Sequence, residues 1–296
     1  MRRLKVLIWN ENEHERTRPE VAAIYPLGIH GTLAGGLAAD DLHISVATMD
    51  MPEQGLPSGA LNDVDVLVWW GHILHDRVEQ RIVEAIVTRV NAGMGFVALH
   101  SAHHSLAFKR LMGTSCNLAW RDSERGERVR LWCVLPSHPI ARGVAMHIEI
   151  PADEMYGEPF NVPRPDDVVF INWYQGGEVF RGGCTWTRGR GRIFHFSPGH
   201  ETYPVFHQAE ILKVIGNGVR WAAEPHGDGH DMSNLHRPVS PETLRLSQGL
   251  DRAEAAQVAR ASSCSNMPSS TASGNTASSW HQHLGKARRN TAGSMG

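Results

Sequence analysis

The stretch GFVALHSAHHS, residues 95–105, decides the fold class. It opens on an apolar run from Phe96 to Leu99 and changes abruptly to polar residues, as a buried strand does at the edge of a sheet. In many α/β enzymes the first residue past such a strand is a nucleophilic serine or cysteine on a sharp turn. Here that position holds His100, followed by a serine and two more histidines. Because His100 stands at the end of a wholly apolar strand, the sequence predicts a role for it in a functional site.

Strands and helices alternate on the N-terminal side of this stretch. Apolar runs typical of buried strands are separated by helical segments, one of which has a single apolar face. The predicted strands span 4–10, 43–49, 65–71 and 95–100, and the predicted helices span 30–38 and 77–93. This alternation predicts an α/β fold with a doubly wound, mostly parallel sheet that helices cover on both faces.

The second half of the chain carries more strand patterns and ends in a low-complexity segment. The glycines of RGRG, residues 188–191, predict a hairpin turn between two strands, and a one-faced apolar pattern predicts a closing helix at 209–223. The chain after residue 225 is polar, and residues 259–280 are a low-complexity segment of serine, threonine, alanine, asparagine and glycine. This segment has too little apolar surface to offset the entropy of ordering. We therefore predict a folded domain over 1–224 and a disordered tail over 225–296, with a short helix near 250–260.

Charge and composition exclude several classes of partner. The formal net charge of −2 argues against a nucleic-acid or anionic-membrane surface. The apolar run near the N-terminus stops at Asn10, too short for a signal segment or a membrane span. Four cysteines show no CxxC pair, which indicates reduced thiols in a cytoplasmic protein. The glycine-rich stretches match neither GxGxxG nor a P-loop, so no nucleotide cofactor is expected.

Histidine is the unusual residue, with 18 in the chain. Ligands bind at the carboxyl ends of parallel strands, and several predicted strand ends are dense in imidazole and carboxylate. His72, His100, and the pair His200 and Glu201 each follow such a strand, while His30 precedes a run of small residues. Neutral imidazoles beside carboxylates bind Zn²⁺ or act as general bases near neutral pH. Each could instead be an ordinary histidine hydrogen-bonded to backbone, and His30 fits both interpretations equally.

Aromatic and acidic residues in predicted loops suggest the ligand. Tyr156, Trp173 and Tyr203 fall at strand ends or loops, where flat amphipathic rings suit stacking on a sugar face. A carboxylate such as Glu158 suits hydrogen bonds to adjacent sugar hydroxyls. We therefore predict these four residues as contacts to a small-molecule carbohydrate, although aromatic residues at loop edges more often simply pack.

Together these segments resemble the ThuA family, the trehalose-utilisation proteins. The resemblance rests on VLIWNENEHERTRPEVAAIYPLGIH, DVLVWWGHILHDRV, CNLAWR, ADEMYGEPF, GGEVFRGGCTWTRGRGRIFHFSPGHETYP and VIGNGVRWAA, and it runs from residue 4 to about 223. GHETYP and WWGHILHD are its most specific motifs. The tail from residue 225 departs from the family pattern.

The resemblance implies a flavodoxin-like, three-layer sandwich similar to the class I glutamine amidotransferases. In those enzymes the turn after the central strand carries a cysteine, and a late strand supplies a histidine and a glutamate. Here His100 stands at or next to that turn, and His200 and Glu201 fall where the pair would lie. Because no cysteine lies near the turn, and a stable acyl-enzyme needs a thiolate or a similar group, glutaminase activity is disfavoured.

The resemblance also implies a role in the use of trehalose or a related keto-sugar. The predicted catalytic residues are His100, His200 and Glu201, and the predicted metal ligands are His30, His72, His100 and His200. Zinc is the first candidate for the divalent ion. An alternative is a non-catalytic sugar-binding or regulatory domain on the same scaffold, and a cysteine amidotransferase or isomerase ranks last. Association into a homo-oligomer through sheet edges is left open.

Overall fold

A computed structural model describes residues 2–123 and 125–225. The predicted tail therefore lies outside the described residues, apart from its first position, as does the helix predicted near 250–260. The strands are Leu4–Asn10 (β1), Leu42–Thr48 (β2), Val66–Trp70 (β3), Gly95–Leu99 (β4), Ala119–Arg121 (β5), Glu127–Cys133 (β6), His147–Asp153 (β7), Met155–Gly157 (β8), Asp167–Tyr174 (β9), Val179–Arg188 (β10) and Gly191–Phe196 (β11). The helices are His14–Thr17 (α1), Pro19–Ile24 (α2), Gly28–Gly36 (α3), Gln80–Asn91 (α4), Leu106–Met112 (α5) and Ala209–Ala222 (α6).

Nine strands form one mixed sheet in the order β2-β1-β3-β4-β11-β10-β9-β6-β7. The pairings from β2 through β11 are parallel, and those from β11 to β7 are antiparallel. The predicted parallel arrangement therefore holds for one half of the sheet. The other half is antiparallel because short turns, such as the one between β10 and β11, connect its strands without a crossover helix.

The centre of the sheet is wholly apolar and wholly covered. Every residue of β3 and β4 is buried, which is the pattern of strands with helices on both faces. Helix α6 packs on β4 and β11 and contacts α3, whereas α4 packs on β11 and contacts α5. The rings of Trp9 and Trp69, on neighbouring strands, stack with centroids 3.7 Å apart.

The sequence located most of these elements to within two or three residues, because their apolar runs are continuous. The chain after β4 does not enter a helix directly. The residues His100 to His104 form a 3₁₀ turn, and the helix starts only at Leu106, where the side chain of Ser105 accepts a hydrogen bond from the Phe108 N–H. Within the described ranges, no helix is both long enough and apolar enough to cross a membrane.

Candidate functional site

The candidate site lies at the carboxyl edge of the sheet, where four chain segments meet. His72 follows β3, His100 follows β4, Glu154 follows β7 and His200 lies in the loop after β11. One ligand atom from each of these residues lies within 4.8 Å of those of the others. Three of the four are buried, and His72 is partly exposed. We call these four residues the first cluster.

His100 is fixed at the base of the site by its backbone and by three contacts. Its φ of 51° is in the left-handed region, which a residue other than glycine adopts only where its surroundings enforce it. Its Nδ1–H donates to the Ser197 carbonyl over 2.9 Å. Nε2 then faces the Glu154 carboxylate at 3.2 Å and the Tyr156 hydroxyl, also at 3.2 Å. The tautomer is thereby set, with Nε2 directed to the cluster.

Charge couples His100 to Glu154. Burial alone would lower the pKa of His100, but the hydrogen bond and charge of Glu154, with the charge of Asp153, raise that pKa. Burial alone would raise the pKa of Glu154, and the contact with His100 instead lowers it. Glu154 thus stays ionised although it is buried, and the ionised carboxylate is the form that binds a metal ion.

Glu201 links His72 to a further histidine, His14. The Nδ1 atoms of His14 and His72 lie 2.6 Å and 3.0 Å from Oε1 of Glu201. Glu201 has no exposed surface. Burial would raise the pKa of Glu201, but these two contacts lower it, so the group is an ionised acceptor. An imidazole held at Nδ1 by a carboxylate presents Nε2 as a ligand, an arrangement common around protein-bound metals.

His200 is a neutral imidazole on a constrained loop. Burial lowers its pKa to about 4. Asp153 accepts hydrogen bonds from the backbone N–H groups of Gly199 (3.0 Å) and His200 (3.1 Å). Gly199 has a φ of 131°, and a Cβ there would lie 2.2 Å from the ring of Phe206, so only glycine fits. Nδ1 of His200 lies 2.8 Å from the hydroxyl of Thr202 and accepts the backbone N–H of Thr202 over 3.3 Å.

The loop that carries His72 is fastened by Glu11, the first residue after β1. The Glu11 carboxylate accepts the backbone N–H groups of His72, Ile73 and Leu74 over 2.8, 3.0 and 2.9 Å. Glu11 is itself buried, and the low dielectric constant of the protein interior strengthens these hydrogen bonds.

A cavity of about 460 Å³ opens over the cluster, within the usual range for small-molecule sites. Its mouth includes Trp120, which is 64% exposed, together with Arg18 and Asp122. The floor includes His14, His72, Glu154, Tyr156, His200 and Glu201. The cavity therefore combines an aromatic surface, both signs of charge and neutral imidazoles.

Six of the nine predicted site residues lie in or beside this cavity, and three do not. His72, His200 and Glu201 line it, as does Tyr156, while His100 lies beneath at the cluster. The ring of Tyr203 lies 5.6 Å from that of His200, and its hydroxyl donates towards Asp122 and the Ser123 carbonyl. The residues placed elsewhere are His30, Glu158 and Trp173.

The three distant residues have other partners. Nδ1 of His30 lies 3.0 Å from the Asn10 amide, and His30 belongs to neither group of potential metal ligands in the described chain. Glu158 pairs with the Arg181 guanidinium. Trp173 is half exposed on β9, with the Arg130 guanidinium 5.9 Å from its ring centroid. The antiparallel half of the sheet carries Trp173 away from the carboxyl edge of the parallel strands.

Two site residues escaped the sequence analysis. The strand pattern HIEI covers residues 147–150, whereas β7 runs on to Asp153, so that Glu154 is the first residue past the strand. The rule that located the histidines, a polar residue just past a strand, applies to Glu154 once the strand is extended. His14 is four residues beyond β1 in the chain, and the single turn of α1 brings it to Glu201.

None of the described cysteines supplies a nucleophile at this edge. Cys116, Cys133 and Cys184 are free and buried. Burial raises the pKa of all three thiols, that of Cys184 to about 12. These thiols therefore stay protonated near neutral pH, unlike a catalytic cysteine.

We expect His195, beneath the site, to make the fold sensitive to acid. It is fully buried, donates from Nε2 to the His100 carbonyl, and has a pKa lowered by burial to about 3. Because the unfolded chain takes up a proton below about pH 6.5 and the folded chain does not, stability is lost as pH falls from 6.5 towards 3. Urea unfolding at pH 7 and pH 5 should show that His195→Phe reduces the loss between them by about 2 kcal/mol. An equal loss in both proteins would contradict this expectation.

Comparison with known proteins places the chain among ThuA-like proteins. A family model named ThuA and described as trehalose utilisation matches residues 5–222. No curated protein shows significant similarity. A solved ThuA-like protein from Bacteroides uniformis superposes with a TM-score of 0.54 at 16% identity, over 77% of this chain and 94% of that one. A ThuA-like protein from Parabacteroides merdae gives 0.49 at 18% identity, over 75% and 90%. At 16% identity, the Bacteroides match supports the fold alone.

Proposed function

Because the chain belongs to the ThuA family, we propose that it is a carbohydrate-processing enzyme acting on trehalose or on a keto-sugar derived from such a disaccharide. The family is described by trehalose utilisation. The observation that carries the proposal is the first cluster, His72, His100, Glu154 and His200, at the base of a cavity that has charged and aromatic residues at its mouth.

The scaffold we propose is the three-layer sandwich of the class I glutamine amidotransferases. Three features support it: the parallel strands at the centre of the sheet, the helices packed against them, and the left-handed backbone of His100 just past β4. On this scaffold His100 stands where the amidotransferases have their cysteine nucleophile, so the proposed chemistry is not glutamine hydrolysis.

The first cluster is the proposed site of a divalent ion, with zinc as the first candidate. Three imidazoles and one carboxylate are ligands that suit Zn²⁺. His100 is held at Nδ1 by a carbonyl and His72 by the Glu201 carboxylate, as expected of metal-ligating histidines. Such an ion, when bound, polarises a carbonyl or hydroxyl oxygen of the sugar.

The remaining residues bind and orient the sugar. Trp120 offers a flat surface for a pyranose face, and Asp122 and Arg18 offer an acceptor and donors for hydroxyl groups. Tyr156 stacks on the His100 ring with centroids 4.9 Å apart and restrains it. Glu201, an ionised acceptor, holds His14 and His72 rather than donating a proton itself.

The test is conversion of a defined sugar. Protein loaded with zinc is incubated with trehalose and, separately, with 3-keto-trehalose, and ¹H NMR follows the sugar. We expect one of them to be consumed, and His200→Ala to slow conversion by about 100-fold or more. His147, exposed on β7, is the matched control, and its replacement by alanine should leave the rate unchanged.

Two results would oppose the proposal. Absence of conversion with zinc, manganese or iron, together with no binding of either sugar, would overturn it. Thermal stabilisation by the sugar without any turnover would instead establish the alternative, a sugar-binding domain that performs no chemistry.

A further inference from the structure

A second group of potential ligands adjoins the first cluster. His14, His72 and Glu201 each place one ligand atom within 4.8 Å of the other two. The contacts are Nδ1 of His14 to Oε1 of Glu201 at 2.6 Å and Nδ1 of His72 to the same oxygen at 3.0 Å. We call this trio the second cluster. His72 belongs to both clusters.

Glu201 provides an independent indication of a cation. The residue is completely buried, and its second oxygen, Oε2, makes no hydrogen bond within the described chain. Nδ1 of His200 lies 3.7 Å from Oε2, which is too far for a hydrogen bond. A buried ionised carboxylate with one oxygen unpartnered is costly unless another positive group compensates it.

We propose that the site binds two divalent ions, the second held by His14, His72 and Glu201. In this two-ion state the first ion keeps His100, His200 and Glu154, so that each ion has two histidines and one carboxylate. This inference rests on the proposed function, because it assigns a second ion to the same cavity.

The ligand set fits this division. Two histidines and one glutamate are a common donor set of catalytic zinc, and they leave at least one position open for water or substrate. Ligand atoms on one zinc ion, at bond lengths of about 2.0–2.1 Å, are separated by about 2.9–3.4 Å. The two contacts to Glu201 measure 2.6 Å from His14 and 3.0 Å from His72. Only the His14 contact would have to lengthen, by a few tenths of an ångström, for all three atoms to bind one ion.

Ion binding at the second cluster needs no other reactant. When Nδ1 of a neutral His14 or His72 binds the ion, the proton on that nitrogen moves to Nε2, and the hydrogen bond to Glu201 is replaced by two bonds to the ion. His72 then no longer offers Nε2 to the first ion. Two ions at one cavity base would hold two oxygens of a sugar, such as adjacent hydroxyls or a hydroxyl beside a carbonyl.

The decisive measurement is the zinc content of the full chain. After equilibrium dialysis against buffered zinc, elemental analysis gives the number of ions per chain. We expect two for the wild-type protein, one for His14→Ala and one for Glu154→Gln, and two for the control His147→Ala. His14→Gln is the second variant if His14→Ala does not fold, as judged by circular dichroism and thermal unfolding.

Other outcomes separate the two proposals. One ion in the wild-type protein, retained in His14→Ala and lost in Glu154→Gln, would overturn the second ion and leave the proposed function intact. Two ions in every variant would place the zinc elsewhere and overturn the inference. Absence of zinc from the wild-type protein would overturn both the second ion and the metal assignment of the first cluster.

Discussion

We expect Glu154→Gln to weaken zinc binding by more than about 100-fold. Loss of a residue that only contacts a ligand already costs about 10–100-fold in metal affinity, and loss of a ligand should cost more. Glu154 is the single carboxylate of the first cluster, and its Oε2 lies 3.2 Å from Nε2 of His100. Glutamine keeps the shape but removes the charge that offsets the divalent ion. Competition with a chromophoric chelator at pH 7.5 measures the affinity of the tightest site.

A matched control lies on β7, the strand that Glu154 follows. Glu149 is exposed on β7 and pairs with Arg130, so Glu149→Gln should leave zinc affinity unchanged. If a single tight ion binds Glu154→Gln as well as it binds the wild-type protein, Glu154 is not a ligand of the tightest ion. The tightest ion would then lie in the second cluster or outside the cavity, which the zinc content of His14→Ala distinguishes.

Glu11→Ala should lower the free energy of unfolding by about 3–5 kcal/mol, since hydrogen bonds to a charged acceptor contribute about 1.5–3 kcal/mol each. The buried carboxylate accepts three consecutive backbone N–H groups, those of residues 72–74. With alanine at this position, the three N–H groups lose their acceptor and can form hydrogen bonds only with water. Urea unfolding followed by tryptophan fluorescence measures the change. Zinc affinity should also fall, because the loop places His72.

Glu13 is the control for this prediction. It is two residues away, partly exposed, and its side chain makes no hydrogen bond in the described chain. Glu13→Ala should change the free energy of unfolding by no more than about 0.5 kcal/mol, as is usual for surface substitutions. A loss in Glu11→Ala as small as that of Glu13→Ala would mean that other contacts hold the His72 loop.

The parallel half of the fold was predictable from sequence because its strands are buried on both faces. Burial on two sides makes β3 and β4 continuous apolar runs, and polar residues follow at once where each run meets solvent. The histidines at those ends could therefore be assigned to one edge of the sheet without coordinates. The antiparallel strands were recognised as strands, but their place in the sheet depends on pairing between segments distant in sequence.

Aromatic and acidic residues were the least predictable part of the site. Trp173 and Trp120 are both exposed tryptophans within strands, and of the two Trp120 alone lies at the cavity. Glu154 and Glu158 are four residues apart, and one faces His100 while the other pairs with Arg181. Local sequence does not distinguish these pairs, because the difference lies in which distant segment packs against each residue.

The sequence by itself determined the class of fold, the edge of the sheet that holds the site and the residue type that dominates it. Those properties follow from local patterns of apolar and polar residues, which each segment carries on its own. Only the tertiary structure decided which of these residues lie together: it brings Glu154 and His14 into the two groups of potential ligands and leaves His30 outside them. The ligand atoms of these clusters lie within a few ångströms of one another, although the residues are up to 187 positions apart in the chain. Such distances are set by the packing of the whole sheet and not by any one segment.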